Sequence, residues 1–412
     1  MANSTQIKIM QWNARSLISN KQSFEIYLNK YNIDVALICE TWFKPGHSVN
    51  FKGYHIIRND RADGKAGVAI LIKKNLAYRT ITLDQNFNTG INICGATILV
   101  GDKKVTFLSV YKPPNVNTSF SDWTNISSQI LSPFIDAGDF NAHSPLWGSH
   151  KNNSTGTQIS KLIDDFDYIL LNTGDSTRVQ RPGCNKSVVD LSFCSPDLAS
   201  KALWSIESDT LGSDHFPINI LLEYNNSNFS EIIHPKTKWN VNKSNWNGYY
   251  TYIDQMMLNT PNFIDINEKY DFLTECINTA ANLFIPKFKP FLIKNKLPAP
   301  WWNAQDCDPM LLRRKEALKV YKQNPSMDNY LNCQKAQADT KKFFKSKARA
   351  SWRNWCSNLN KNTPSTKIWS QARKMNRVTA YKKPENDGWI NEFFDHITLP
   401  LFYPNLLTVL FL

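Results

Sequence analysis

Short apolar runs and longer helical patterns alternate irregularly through the first half of the chain. The apolar runs have the length of buried or half-buried strands, and apolar residues three or four positions apart mark the helices. We predict strands at 6–12, 34–39, 67–72, 91–99, 104–111, 133–138, 188–193 and 217–223, and helices near 22–30, 119–130 and 157–167. This mixed order predicts two packed sheets covered by helices, a two-sheet α/β sandwich.

Two of the predicted strands adjoin short segments rich in acid, amide and imidazole groups. Gly138-Asp139-Phe140-Asn141-Ala142-His143 follows an apolar run, and Ser213-Asp214-His215 precedes another. Phosphodiester hydrolysis needs carboxylates to hold a divalent metal ion and deprotonate water, and an amide and an imidazole to orient the phosphate. Either segment alone is weak evidence, because Gly-Asp-x-Asn turns are common for purely local reasons.

Four further polar residues stand in or next to other predicted strands. Glu40 follows the apolar run 34–39, and a carboxylate there needs a partner such as a metal ion, because unpaired buried charge is costly. Asn13 and Tyr111 close two other strands, and an ordinary strand-end aromatic is the alternative interpretation of Tyr111. Asp190 lies inside a strand pattern, where it either pairs with an imidazole or is a structural ion-pair partner.

Taken in order, these residues follow the pattern of a known enzyme family. The match covers roughly residues 5–224, which resemble the endonuclease/exonuclease/phosphatase superfamily in an ordered set: Asn13, Glu40, Tyr111, Asp139 with Asn141, Asp190, and Asp214 with His215. Within the superfamily, Tyr111-Lys-Pro-Pro114 and the segment 138–149 look like the endonuclease domains of non-LTR retrotransposons close to the jockey type. The resemblance implies a metal-dependent nuclease.

The resemblance also implies how the metal is bound. Glu40 is expected to be the principal ligand of Mg²⁺ or Mn²⁺, with Asp214 near the same ion. Asn13 is expected to orient Glu40 or a metal-bound water. The family often has an acid where this chain has Arg15, which suggests one metal ligand fewer and a direct contact between the arginine and a phosphate.

The other residues of the set are expected to act on water and phosphate. Asp139 would activate the attacking water, and Asn141 and Tyr111 would hold the phosphate. His215 would contact the scissile phosphate, with Asp190 fixing its tautomer. Related endonucleases contact DNA through a loop that here carries Thr177, Arg178 and Arg181, although a solvated turn is an equal alternative.

Positive charge is concentrated outside this region. Residues 1–224 carry 21 Lys and Arg against 20 Asp and Glu, whereas residues 225–385 carry 27 against 12. A separate polyanion-facing segment is therefore indicated. We predict an endonuclease domain at 1–224, a linker with weak helices at 225–308, a basic helical connector at 309–385 and a poorly ordered apolar tail at 386–412.

The basic connector carries two predicted helices, 309–321 and 327–359, with aromatic residues at helical spacing on a Lys- and Arg-rich background. One interpretation is an antiparallel hairpin whose aromatic residues form a core and whose cations face solvent. The other is a nucleic-acid-binding connector, because interleaved cations and aromatics suit phosphates and bases. Weaker helical patterns precede it at 250–259 and 270–284.

Further features narrow the function. The eight cysteines lack C-x-x-C spacing and no signal-peptide pattern opens the chain, so we expect a nuclear or cytoplasmic protein that is neither secreted nor membrane-bound. The one Asp-Asp pair, Asp164-Asp165, lies in a helical pattern rather than a polymerase hairpin, so we expect no reverse transcriptase. The sequence predicts a Mg²⁺-dependent DNA endonuclease that nicks a target site, with element RNA as a second candidate partner. The alternatives are an inactive nucleic-acid-binding remnant and a phosphatase acting on small phosphate esters.

Overall fold

The structure is a computed structural model that describes residues 4–84, 90–101, 103–225, 241–261, 265–286, 301–360, 363–366 and 368. Up to residue 225 it contains twelve strands: β1 Ser4–Asn13, β2 Val35–Cys39, β3 Tyr54–Asn59, β4 Val68–Lys73, β5 Tyr78–Ile81, β6 Asn92–Val100, β7 Lys103–Tyr111, β8 Phe134–Asp139, β9 Ile169–Leu170, β10 Asp190–Cys194, β11 Ala202–Ile206 and β12 Ile218–Asn225. The helices there are α1 Leu17–Lys30, α2 Phe120–Ser127, α3 Ser154–Asp165 and α4 Pro196–Ala199, with a 3₁₀ turn at Pro145–Trp147.

The strands form two six-stranded sheets. The first has the order β11-β12-β1-β2-β4-β3, and the second has the order β5-β6-β7-β8-β10-β9. Within each sheet one central pair is parallel, β1 with β2 and β7 with β8, while the remaining neighbours are antiparallel. The predicted two-sheet α/β sandwich followed by a helical region is confirmed.

The main core lies between the two sheets. Ile9, Leu37 and Ile70 from the first sheet pack against Ile98 and Phe107 from the second, and all five are fully buried. The outer face of the first sheet is covered by α1, and the outer face of the second by α2 and α3. The central strand β2 is buried on both faces, which explains its continuous apolar sequence.

Four strands were missed by the sequence patterns: β3, β5, β9 and β11. They are the outermost strands of their sheets. Strand β5, for example, has mostly exposed side chains, and β9 is two residues long. Because an edge strand packs against one neighbour only, it needs no apolar run, and periodicity therefore gives little signal there.

Two helices of the C-terminal region pack against the sandwich. They are α7, Ala304–Gln323, and α8, Met327–Ser357, joined by a three-residue turn into a hairpin. Helix α7 starts five residues before the predicted start, because the side chain of Asn303 accepts a hydrogen bond from the amide of Gln305 and caps the helix there. The described residues of the sandwich and of this hairpin belong to one compact unit.

The described residues between 241 and 286 belong to a second compact unit. Its described part contains the 3₁₀ turn Val241–Lys243 and the helices α5 Trp246–Leu258 and α6 Ile266–Phe284. The two helices pair through a contact between the rings of Tyr252 and Phe284. The predicted apolar tail, 386–412, lies outside the described residues, and the predicted domain boundaries stay predictions.

Candidate active site

The sheet topology brings the predicted site residues to one edge of the sandwich. The carboxyl ends of β1, β2, β7 and β8 lie at this edge, because each sheet contributes one parallel pair. The strands β10 and β12 run antiparallel to their neighbours, so they begin at the same edge. Asp190, the first residue of β10, is paired in register with Asp139, the last residue of β8.

Glycine is required where β8 approaches β7. A Cβ atom on Gly138 would collide with the carbonyl oxygen of Val110. Gln11 also holds the two sheets together here, because its buried side-chain amide donates to the carbonyl oxygens of Gly138 and Leu191 at 2.9 and 3.1 Å. This edge of the sandwich is therefore fixed by contacts deep between the two sheets.

Asn13 links the acids of the two sheets. Its Nδ2 donates to Oε1 of Glu40 at 2.9 Å and to Oδ2 of Asp139 at 2.7 Å. Its Oδ1 accepts a hydrogen bond from the backbone amide of Arg15. One amide therefore fixes the position of two carboxylates that come from different sheets, and the orienting role of Asn13 in catalysis stays a prediction.

Glu40 has two further partners. The hydroxyl of Tyr111 hydrogen-bonds to its carboxylate, and the indole Nε1 of Trp42 donates to Oε2 at 3.2 Å. Burial, followed by the negative charges of Glu40 and Asp139, raises the pKa of Tyr111 well above its usual range, so the phenol keeps its proton and donates. Sequence reasoning missed Trp42, although it lies two residues after Glu40.

Asp139 accepts two hydrogen bonds, from Asn13 and from the backbone amide of Asn141 at 3.0 Å. Burial, followed by the negative charge of Asp190, raises the pKa of Asp139 to about 7. The side chain of Asn141 donates to the carbonyl oxygen of Lys112 at 2.9 Å, which places the amide beside the end of β7. Asp139 and Asn141 are thus held in one rigid turn.

His215 and Asp190 form a buried dyad. Nδ1 of His215 lies 2.8 Å from Oδ2 of Asp190, and both residues are almost fully buried. Burial alone would lower the pKa of His215, but the charge of Asp190 and its hydrogen bond outweigh that effect and raise the pKa to about 9. The imidazole is therefore a cation at neutral pH. The structure pairs Asp190 with the imidazole, as the first of the two interpretations expected.

Several site residues have strained backbones. Four of them have positive φ angles, a region of backbone conformation that residues other than glycine rarely occupy. They are Arg15 (40°), Glu40 (50°), Trp42 (56°) and Asn141 (46°). Each such residue costs of order 1–3 kcal/mol, and strained residues cluster where a functional geometry demands them. Four of them around one pair of carboxylates mark this edge as a functional site.

Asp214 forms ion pairs with two arginines instead of joining the other acids. Its Oδ2 lies 2.8 Å from Nη1 of Arg15 and 2.7 Å from Nη2 of Arg178. Burial would raise the pKa of Asp214, but the positive charges of His215 and the two arginines outweigh it and lower the pKa. The predicted role of Asp214 as a metal neighbour stays a prediction.

The predicted DNA-contact residues divide into two kinds. Arg181 is exposed and Arg178 is half-buried, and both line a cavity of about 670 Å³. Thr177 is fully buried, and its hydroxyl accepts hydrogen bonds from the backbone amides of Val189 and Asp190. Thr177 thus has no exposed surface for DNA, and its role is to hold the start of β10. The predicted contact between Thr177 and DNA does not fit this burial.

The residues at this edge fit a divalent metal ion. The potential ligand atoms of Asp139, Asp190 and His215 all lie within 4.8 Å of one another. Of these groups, His215 and Asp190 are already paired with each other. Asp139 is joined to another carboxylate, that of Glu40, because both accept hydrogen bonds from the side-chain amide of Asn13. Mg²⁺ prefers oxygen ligands, and a cation would offset the burial of several carboxylates.

The hairpin of α7 and α8 encloses the loop that carries Asp214 and His215. We call residues 209–216 the catalytic loop. Arg314 pairs with Asp209 at 2.6 Å, and Nε2 of Gln337 donates to the hydroxyl of Thr210 at 3.1 Å. At the other end of the loop, Phe216 packs in an apolar cluster with Leu318, Tyr321 and Cys333 of the hairpin. Sequence reasoning missed this contact, since nothing in a helical pattern reports what the helix packs against.

The chain resembles proteins of the endonuclease/exonuclease/phosphatase type. Residues 105–219 match the family model described as "Endonuclease-reverse transcriptase". A probable RNA-directed DNA polymerase from transposon X-element of Drosophila melanogaster is 27% identical over 306 residues, covering 71% of this chain and 32% of that protein. The RNA-directed DNA polymerase from the mobile element jockey of the same species is 28% identical over 220 residues, covering 52% and 24%. The chain spans about a third or less of the length of these relatives.

Two solved structures are also similar. The endonuclease domain of TRAS1, a telomere-specific non-LTR retrotransposon, has a TM-score of 0.46 at 23% identity, covering 53% of this chain and 98% of that domain. The AP endonuclease LMAP from Leishmania major has a TM-score of 0.43 at 13% identity, covering 53% and 88%. The resemblance predicted from the sequence, to endonucleases of non-LTR retrotransposons within the superfamily, is confirmed.

Proposed function

We propose that this chain is a divalent-metal-dependent endonuclease that hydrolyses phosphodiester bonds in DNA. The observation that carries the proposal is the coupling of Glu40 and Asp139 through Asn13, next to the buried dyad of Asp190 and His215. Carboxylates for a metal and for a base, together with a cationic imidazole, are the groups that this reaction needs. The family match over 105–219 supports the same reaction.

Each side chain has a role that its surroundings support. Asp139 has a pKa near 7, the range in which a carboxylate accepts a proton from water efficiently at neutral pH. His215, with its pKa raised to about 9, carries a positive charge that Asp190 holds in place and that stabilises charge on the phosphate. Asn141 would orient the phosphate through the amide hydrogen that it does not donate to Lys112, and Tyr111 would donate its hydroxyl hydrogen to the phosphate in place of Glu40.

Glu40 would be the principal ligand of Mg²⁺ or Mn²⁺, with Asn13 orienting its carboxylate. A bound ion of this kind polarises the phosphate and lowers the pKa of bound water. Asp214 keeps Arg15 and Arg178 at the edge of the site, where their guanidinium groups can bind neighbouring phosphates.

The biological role that we propose is nicking of a target site so that a 3′-hydroxyl end is left. The matched relatives come from mobile elements, which supports DNA as the substrate and element RNA as a second partner. A phosphatase acting on small phosphate esters is the second enzymatic candidate. The non-enzymatic candidate is an inactive remnant that binds nucleic acid. The complete set of acids, amides and imidazole favours an active enzyme.

No helix in the described part of the chain is long and apolar enough to cross a membrane.

Nicking of supercoiled plasmid with Mg²⁺ and with EDTA tests the proposal. We expect Asp139→Asn and His215→Ala each to lower the rate by about 10²–10⁴-fold, the usual effect of losing a base or a charge-stabilising group. Asp164→Asn, on the exposed face of α3, is the matched control and should nick at the unmodified rate. Nicking by Asp139→Asn at the unmodified rate would exclude the assignment, and hydrolysis of small phosphate esters in place of DNA would favour the phosphatase.

A further inference from the structure

Helix α8 carries a row of cations that starts at the catalytic loop. The row consists of Lys341, Lys345, Arg349 and Arg353, which we call the α8 cationic face. Residues four positions apart lie on the same face of a helix, one above the other. Lys345, Arg349 and Arg353 are exposed, and within the described residues none of them is within ion-pair distance of a carboxylate.

The first cation of this face touches the catalytic loop. A Cβ atom on Gly212 would lie 2.7 Å from Cε of Lys341, so the lysine stem packs directly on the loop that carries Asp214. Burial, followed by the positive charges of Arg314, Lys345 and Arg15, lowers the pKa of Lys341 to about 8. Positive charge is therefore in excess where α8 meets the active-site edge, and phosphate groups would offset it.

The position of this face relative to the catalytic loop is fixed. Arg314 of α7 is buried and paired with Asp209, and Gln337, one turn before Lys341, donates to Thr210. The hydroxyl of Thr340 in α8 also donates to the carbonyl oxygen of Met310 in α7. The cations of α8 thus stand at a defined place beside the loop instead of on a free tether.

The spacing of the cations suits a nucleic-acid backbone. From Lys341 to Arg353 is twelve residues, or about 18 Å along the helix axis at 1.5 Å per residue. One DNA strand carries a phosphate about every 3.4 Å of duplex axis, so this length corresponds to about five phosphates. The face begins beside Arg15 and Asp214 and leads away from them, which makes it continuous with the proposed phosphate contacts of the active site.

We propose that the α8 cationic face binds the phosphate backbone of the DNA duplex whose bond lies in the active site, as an extension of the substrate-binding surface. This inference rests on the proposed function, because the occupant is the substrate of that site. The cations of the hairpin then do more than face solvent. The hairpin packs against the catalytic loop, and it also makes a second contact with the substrate, several base pairs from the bond that is cut.

The test is a binding measurement on the full chain. The variant Lys345→Gln, Arg349→Gln, Arg353→Gln removes three cations that make no contact with the loop. The matched control, Lys74→Gln, Lys103→Gln, Lys104→Gln, removes three exposed cations at the opposite end of the sandwich. Dissociation constants for a 30-base-pair duplex are measured in EDTA across a salt series, so that binding is recorded without cleavage. Circular dichroism melting checks that both variants are folded.

Three lost phosphate contacts should lower the slope of log K against log salt by about 2.7, at about 0.9 per contact. The control should keep the unmodified slope. An unmodified slope in the α8 variant would overturn the inference. Binding of the same variant to an RNA hairpin is measured as well. If the variant lost affinity for the RNA hairpin while its affinity for duplex DNA was unchanged, the inference would also be overturned. Failure of the proposed function is distinguishable, because it would appear as absent nicking by the unmodified chain whatever the binding result.

Discussion

Arg314 and Asp209 form the buried ion pair that attaches the hairpin to the catalytic loop. Nη2 of Arg314 lies 2.6 Å from Oδ2 of Asp209, and the two side chains are 1% and 6% exposed. Arg314→Met keeps an unbranched apolar stem but leaves the Asp209 carboxylate buried without its cation. Removing one partner of a buried pair costs about 3–5 kcal/mol, and we expect the free energy of unfolding to fall by that amount.

Urea unfolding followed by tryptophan fluorescence measures the loss. Arg313→Met is the matched control, because the neighbouring arginine is 58% exposed and lies 3.5 Å from Asp339, where a surface pair contributes about 1 kcal/mol or less. Adding Asp209→Asn to Arg314→Met removes the unpaired charge and keeps the acceptor for the amide of Leu211. The double variant should therefore recover most of the stability.

The same pair should affect catalysis through the position of His215. At a temperature where Arg314→Met is still folded, we expect slower nicking by this variant and recovery in the double variant. Equal unfolding midpoints for Arg314→Met and the unmodified chain would refute the reasoning, because the hairpin would then add nothing to the stability of the loop.

Two further predictions concern single carboxylates. Burial raises the pKa of Asp136 in β8 to about 7, and its Oδ1 has no hydrogen-bond partner within the part of the chain that the structure describes. A folded-state pKa above the unfolded value of 3.8 means that stability is greatest below pH 4 and falls as the pH rises through 7, so Asp136→Asn should be more stable than the unmodified chain at pH 8, by up to about 4 kcal/mol, and nearly equal at pH 4. Thermal melts at the two pH values check this, and a pH-independent difference would contradict it. Glu40→Gln keeps the size of the side chain but removes its charge, so it should raise the Mg²⁺ concentration needed for half-maximal nicking. An unaltered Mg²⁺ titration would show that Glu40 has a structural role only.

The sequence by itself determined the fold class and indicated which residues would lie together at the proposed site. Continuous apolar runs such as that of β2 identify central strands because both faces of those strands are buried. The polar residues that follow such runs are informative for the same reason. Glu40 at the end of a buried strand needs a partner, and the structure supplies Asn13, Tyr111 and Trp42.

The sequence could indicate what type of partner a buried residue needs, but not which distant residue supplies it or at what distance. An imidazole partner for Asp190 follows from the cost of burying a carboxylate, and the dyad with His215 has that form. Thr177 shows the limit of this reasoning. A threonine between polar residues looks exposed in sequence, but its hydroxyl is needed by the backbone amides at the start of β10, which is a tertiary requirement.

Only the tertiary structure decided what the C-terminal hairpin touches. The helical spacing of residues 309–321 and 327–359 predicts two amphipathic helices, whichever surface they pack against. The buried pair of Arg314 and Asp209 joins residues 105 positions apart, and Phe216 completes its apolar cluster with residues more than 100 positions away. Local periodicity records which face of a helix is apolar, whereas the partner of that face depends on the folded surface of the rest of the chain. For that reason the sequence could indicate which residues would form the proposed site, and the structure alone revealed that a basic hairpin packs against the loop that carries Asp214 and His215.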